Sequence, residues 1–157
     1  MKKFTYTNNM PYTYDPTHAR AHYNINGKYA NRGEFCESVA KFHRGLEYVS
    51  NPATSYDEGS DIESLNASVK SSGASLACVY GDFDSILRTY FANVHSTLWI
   101  YITIIDENVI EYHMNKEEFK NFVIEFGTLA KESGSDLTKI RFKKESQKML
   151  KWFEDQI

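Results

Sequence analysis

The apolar positions of this chain repeat at two different spacings. Between 28 and 46, Phe35, Val39, Phe42 and Leu46 fall at i, i+4, i+7 and i+11, one stripe of an amphipathic helix, and Gly45 stands near its end as a C-terminal cap. Residues 83–94 repeat the pattern, with Ile86, Leu87, Tyr90 and Phe91 on one side. The best helical segment is 115–132. Asn115 is placed to cap it, Glu118 stands in capping-box position, and Phe119, Phe122, Val123, Phe126, Leu129 and Ala130 make its apolar stripe. Ser133-Gly134-Ser135 ends it, and a last helix is expected over 145–155, with Met149, Leu150, Trp152 and Phe153 as its apolar residues.

The other spacing is that of strands. TLWIYITII, 97–105, is almost continuously apolar, β-branched and aromatic, which predicts a strand covered on both faces. Asp106-Glu107-Asn108 reads as a turn into an antiparallel strand, VIEYHM. Two or three short strands are expected around 61–71 and 75–80, punctuated by Gly73 and Gly81, and another at 137–142. Residues 50–60 are a loop by composition, and 1–27 are rich in Tyr, Asn and Pro with little periodicity. The resulting order is α-β-β-β-α-β-β-α-β-α, an α/β (α+β) single domain with a central mixed sheet flanked by helices. Its core is expected over 28–157, behind an irregular or extended segment 1–27.

A chain of 157 residues is long enough to bury a core without staples. The net charge of −3 hides an uneven distribution. Residues 1–50 carry seven Lys/Arg against four Asp/Glu, 51–136 five against fourteen, and 137–157 six against three. The middle is therefore acidic and both ends are mildly basic. No apolar run reaches the ~20 residues of a membrane span, and no apolar stretch follows Met1-Lys2-Lys3 as in a signal peptide. Cys36 and Cys78 match no metal motif or disulfide framework and read as reduced thiols, which points to the cytoplasm. His18 and His22, four apart, lack a third ligand nearby. No Gly-rich phosphate loop and no G-x-S-x-G elbow is present.

One stretch carries chemistry. After the helix GEFCESVAKFHRG comes Gly-Ser-Asp61-Ile, then Ser68-Val-Lys70-Ser-Ser in a strand, then helix and strand. Over roughly 28–105 this pattern resembles the PD-(D/E)XK nuclease superfamily, which includes many restriction endonucleases and junction resolvases. The resemblance implies a restriction-endonuclease-like fold. It also implies a Mg²⁺ site in which two carboxylates hold the ion and a lysine two positions after the second one meets the developing charge. By position, Asp61 matches the first carboxylate and metal ligand, and Lys70 the lysine. The second acid should stand at 68, where this chain has Ser68. Glu63 from the neighbouring strand, sharing a face with Asp61, or Glu34 or Glu37 from the first helix, is then the acid that would have to be borrowed.

Two functions follow from that departure. In the first, no cofactor is needed: the chain is a phage or mobile-element protein that docks on a host defence nuclease, as anti-CRISPR proteins do. Tyr6, Tyr12, Tyr14, Tyr23, Asp57 and Glu58 are its candidate contact residues, since Tyr anchors interfaces. In the second, the chain is a Mg²⁺-dependent nuclease using Asp61, Lys70 and Glu37 or Glu63 on DNA or RNA. Arg141, Lys143, Lys144, Lys148 and Lys151 near the C-terminus are placed to touch phosphates in either case. Both readings put the protein in the host bacterial cytoplasm and neither involves a membrane.

Overall fold

Leu98–Ile105 (β6) is the strand on which the rest is laid. Its side chains alternate between two covered faces, Trp99 and Tyr101 on one and Ile100 and Ile102 on the other, all fully buried. This is the strand the sequence marks as covered on both sides. In the computed structural model, residues 1–17, 24–25, 27–48, 61–76, 80–131 and 134–157 are described. Around β6 stand Lys2–Thr7 (β1), Ala67–Lys70 (β5) and Asn108–Met114 (β7), in the order β1-β7-β6-β5. β1, β7 and β6 are antiparallel, and β5 runs parallel to β6. The crossover between the two parallel strands is helix α2, Phe83–Asn93, capped by Asp82. Asp106 turns the β6–β7 hairpin at φ 55°, a left-handed conformation that Asp tolerates.

One face of the sheet is covered by helix α1, Arg32–Phe42, whose N-cap is Asn31. Phe35, Cys36, Val39 and Ala40 pack there with Ile62, Ala67, Ile100, Ile102 and Val109. Three two-residue strands, β2 (Thr13–Tyr14), β3 (Asn24–Ile25) and β4 (Lys28–Tyr29), form a small ribbon beside α1. The opposite face carries α2, α3 (Lys116–Phe126), α4 (Gln147–Asp155) and a ribbon of β8 (Gly127–Lys131) and β9 (Thr138–Phe142). Its core is aromatic: Trp99 stacks on Phe119 at 5.0 Å and Tyr112 on Phe153 at 4.4 Å. The domain is thus α+β with a mixed sheet, and no described helix is long and apolar enough to cross a membrane.

Several expectations change. The segment 1–27, read as irregular or extended, contributes an edge strand, β1, paired along its length with β7. Of the strands expected over 61–71 and 75–80, one forms, Ala67–Lys70; Ser75 keeps only an isolated bridge to Arg141, and 77–79 lie outside the described residues. The helix expected to 132 stops at Phe126, although its capping box forms as read. A Cβ at Gly127 would lie 2.5 Å from the Val123 carbonyl oxygen and 2.6 Å from Ile140, so β9 approaches where only glycine fits. Pairing with β9 then overrides helical periodicity through Leu129 and Ala130. On α1, Phe42 and Leu46 leave the predicted stripe and are exposed, while Cys36 and Ala40 enter it.

Candidate functional site

The hairpin that carries Asp61 is built by a short backbone clamp. Ile62 and Ala67 exchange both backbone hydrogen bonds, at 3.0 and 3.1 Å, around a single 3₁₀ turn over Glu63–Leu65. Asn66 closes the turn at φ 49°. The clamp sets Asp61 alongside β5, whose outer edge has no further strand. One carboxylate oxygen of Asp61 accepts the Val69 N–H at 2.7 Å, so the side chain satisfies an edge donor that β6 does not. Glu63 sits in the turn and is exposed. It lies in the turn and not in a strand that shares a face with Asp61, and among the described residues no interaction brings it into the cluster.

The neighbouring acid comes from α1. Its buried side chains seat the helix on β5, and Glu37, one position after Cys36, lies within electrostatic reach of Asp61 and Lys70. Burial pushes the Glu37 carboxyl up to about 7, the Asp61 charge adds to this, and Lys41 at 3.5 Å partly offsets it. Glu34, one turn earlier, adds a further unfavourable charge. Lys70 responds in the opposite sense. Burial lowers its pKa, and Asp61 and Glu37 together oppose that shift. Two carboxylates and one ammonium from a helix, a turn and a strand therefore share one partly buried place at the open edge of the sheet.

Ser68 is not part of it. It pairs across with Trp99, and its hydroxyl is buried against that of Ser96 at 2.6 Å. Position 68 thus serves packing between β5 and the start of β6. Among the described residues no group of three His, Cys, Asp or Glu is arranged to hold a metal. The donor set at Glu37 and Asp61 is two hard carboxylates. That suits Mg²⁺ or Mn²⁺, which take one or two protein carboxylates and complete their shell with water and substrate phosphate, and it does not suit zinc.

Among the described residues, the tyrosine candidates have partners elsewhere in the fold. Tyr6 donates its hydroxyl to Glu111, and Tyr14 stacks on Phe35 at 5.9 Å under the Arg32 guanidinium. Tyr12 is exposed at the ribbon, its ring 6.0 Å from Tyr29. Tyr23, Asp57, Glu58, His18, His22 and Cys78 lie outside the described residues. Cys36 is a buried thiol raised to about 11 by that burial. Arg141, Lys143, Lys144 and Lys148 are exposed.

A second polar group escaped the sequence reading. Glu111, fully buried on β7, accepts a two-pronged bond from Arg44 (2.5 and 2.9 Å), the Tyr6 hydroxyl and the His113 ring at 2.9 Å. Burial alone would raise its pKa. The three partners outweigh it and hold the carboxyl at about 2. The signal was present in the alternation of VIEYHM, where Val109, Glu111 and His113 share a face and the middle one is an acid. Comparison with protein-family models, with curated proteins and with solved structures finds no match.

Proposed function

We propose that this chain is a divalent-metal-dependent nuclease of the PD-(D/E)XK type in which Glu37 of the first helix replaces the acid missing at position 68. One observation carries the reading: at the edge of β5, Glu37, Asp61 and Lys70 feel one another's charge, and burial, with the Asp61 charge adding to it, raises Glu37 to about 7. Paired carboxylates that repel each other in a partly buried place form a poor ion pair and a good cation cradle. Asp61 is held in position by the Val69 N–H, which leaves its other oxygen for the ion. Bound there, Mg²⁺ would polarise a phosphodiester and supply a hydroxide-like water. Lys70 stands beside both acids, where an ammonium can meet the negative charge that develops on the phosphate.

The test is cleavage of labelled single- and double-stranded DNA and RNA with Mg²⁺ or Mn²⁺. Asp61→Asn, Glu37→Gln and Lys70→Ala are each expected to lower the rate by about 10²-fold or more. Ser68→Ala should retain it, having lost only the bond to Ser96. A wild-type chain that cuts none of these substrates with either metal sinks the proposal. It would return the protein to the docking reading, a partner of a host defence nuclease, which capture of such a nuclease from a bacterial lysate would support.

A further inference from the structure

The strongest run of cations in the chain is bonded, through its backbone, to the segment that follows Lys70. After β5 the backbone turns at Ser71–Ala74 and then runs along β9. Leu76 donates to the Ile140 carbonyl at 2.9 Å, Phe142 to that of Ala74 at 2.9 Å, and Glu145 donates its N–H to the Ser72 hydroxyl at 2.9 Å. Ser72 is two residues from Lys70, a span of at most about 7 Å. Glu145 is therefore held to the turn that follows Lys70, and the chain continues from there into α4.

The side chains of this stretch sort by sign. Ile140 and Phe142 are buried, whereas Arg141, Lys143, Lys144 and Lys148 are exposed. The one acid among them, Glu145, turns inward: its two oxygens accept the Tyr101 hydroxyl at 3.0 Å and the Thr103 hydroxyl at 2.8 Å. Lys151 is paired with Asp155 at 2.9 Å, but among the described residues no carboxylate pairs with the other four cations. The net charge of −3 makes this basic ridge an exception on the chain. Like charges held side by side on fixed backbone repel one another unless a polyanion covers them.

We infer that Arg141, Lys143, Lys144 and Lys148 form a rim that holds the phosphate backbone of a nucleic-acid strand and leads it to Glu37, Asp61 and Lys70. The inference rests on the nuclease reading of that cluster and names its substrate class. Its test is separable from catalysis. Binding of a fluorescent single-stranded DNA 20-mer, and of its duplex, is followed by anisotropy in EDTA, with Lys143→Gln/Lys144→Gln compared against Lys2→Gln/Lys120→Gln. The control removes the same charge from β1 and α3. The rim variant is expected to bind about tenfold more weakly, with a log–log salt slope on single strands shallower by about 1.4, two phosphate contacts' worth. The control should bind as wild type. Equal binding by wild type and rim variant overturns the inference. So does an equal loss in the control, or displacement of the DNA by polyglutamate of the same length as readily as by unlabelled DNA. A wild type that binds through the rim and never cleaves defeats the nuclease reading alone.

Discussion

Glu37 and Glu111 are both glutamates on the α1 side of the sheet, and their surroundings push them in opposite directions. Glu37, raised to about 7, holds its proton more tightly in the folded chain than in the unfolded one. Its contribution therefore weakens as pH rises from about 4.5 to 7, by on the order of 2–3 kcal/mol, and stays weak above. Glu111, held at about 2, is the reverse case. Its stabilisation is complete above about 4.5 and is lost as pH falls towards 2. Urea unfolding followed across pH should thus show greatest stability near pH 4.5–5.5, from these two groups. Glu37→Gln should flatten the neutral limb and leave the variant more stable than wild type at pH 8. Glu111→Gln should flatten the acid limb and cost about 3 kcal/mol at neutral pH, because Arg44 loses its partner. An unchanged neutral limb in Glu37→Gln would show that Glu37 titrates normally.

At the scale of elements, the site depends on where strands and helices stop. β5 is four residues long and is the sheet's edge, so its outer N–H groups are open to Asp61 and its last residue, Lys70, stands at the rim. The α3–β8 boundary decides in the same way where β9 and the basic stretch after it lie. Gly127 is the contact point, and an added methyl there would meet the Val123 carbonyl and Ile140. Gly127→Ala should cost about 2 kcal/mol, read as a lower unfolding temperature, with the ribbon rather than the far sheet edge losing amide protection first. No loss of stability would mean that β9 shifts freely, and the placement of 141–145 beside Ser72 would lose its anchor. Helical periodicity could not reveal this boundary. Thr128-Leu129-Ala130 suits either state locally, and the choice is made by their partners on β9, nine to thirteen residues away in sequence.

Across the whole molecule, the candidate site joins two layers. Glu37 belongs to a helix on one face and Asp61 to a hairpin on the sheet edge, so under the proposed function a cation held between them would tie the layers together only in the folded chain. Adding Mg²⁺ should accordingly raise the unfolding temperature of wild type, by the equivalent of about 2.7 kcal/mol at a hundredfold excess over Kd. The rise should be larger at pH 8 than at pH 5.5, where Glu37 holds its proton, and absent in Glu37→Gln and Asp61→Asn. No rise at either pH would count against a cation between the two acids. What the sequence by itself determined is local: the two-faced strand 98–105, the capping box of Asn115 and Glu118, the Asp106 turn, and Asp61 with Lys70 in one hairpin. Each depends on spacing within a few residues, and period and turn chemistry register that directly. The tertiary structure alone decided that Glu37 rather than Glu63 feels the Asp61 charge, that Ser68 packs against Ser96, that Tyr6 and Arg44 meet Glu111, and that Glu145 bonds to the turn after Lys70. Those pairings join residues from about 24 to more than 100 positions apart, and they exist because packing α1, the sheet edge and β9 around two cores brings them together.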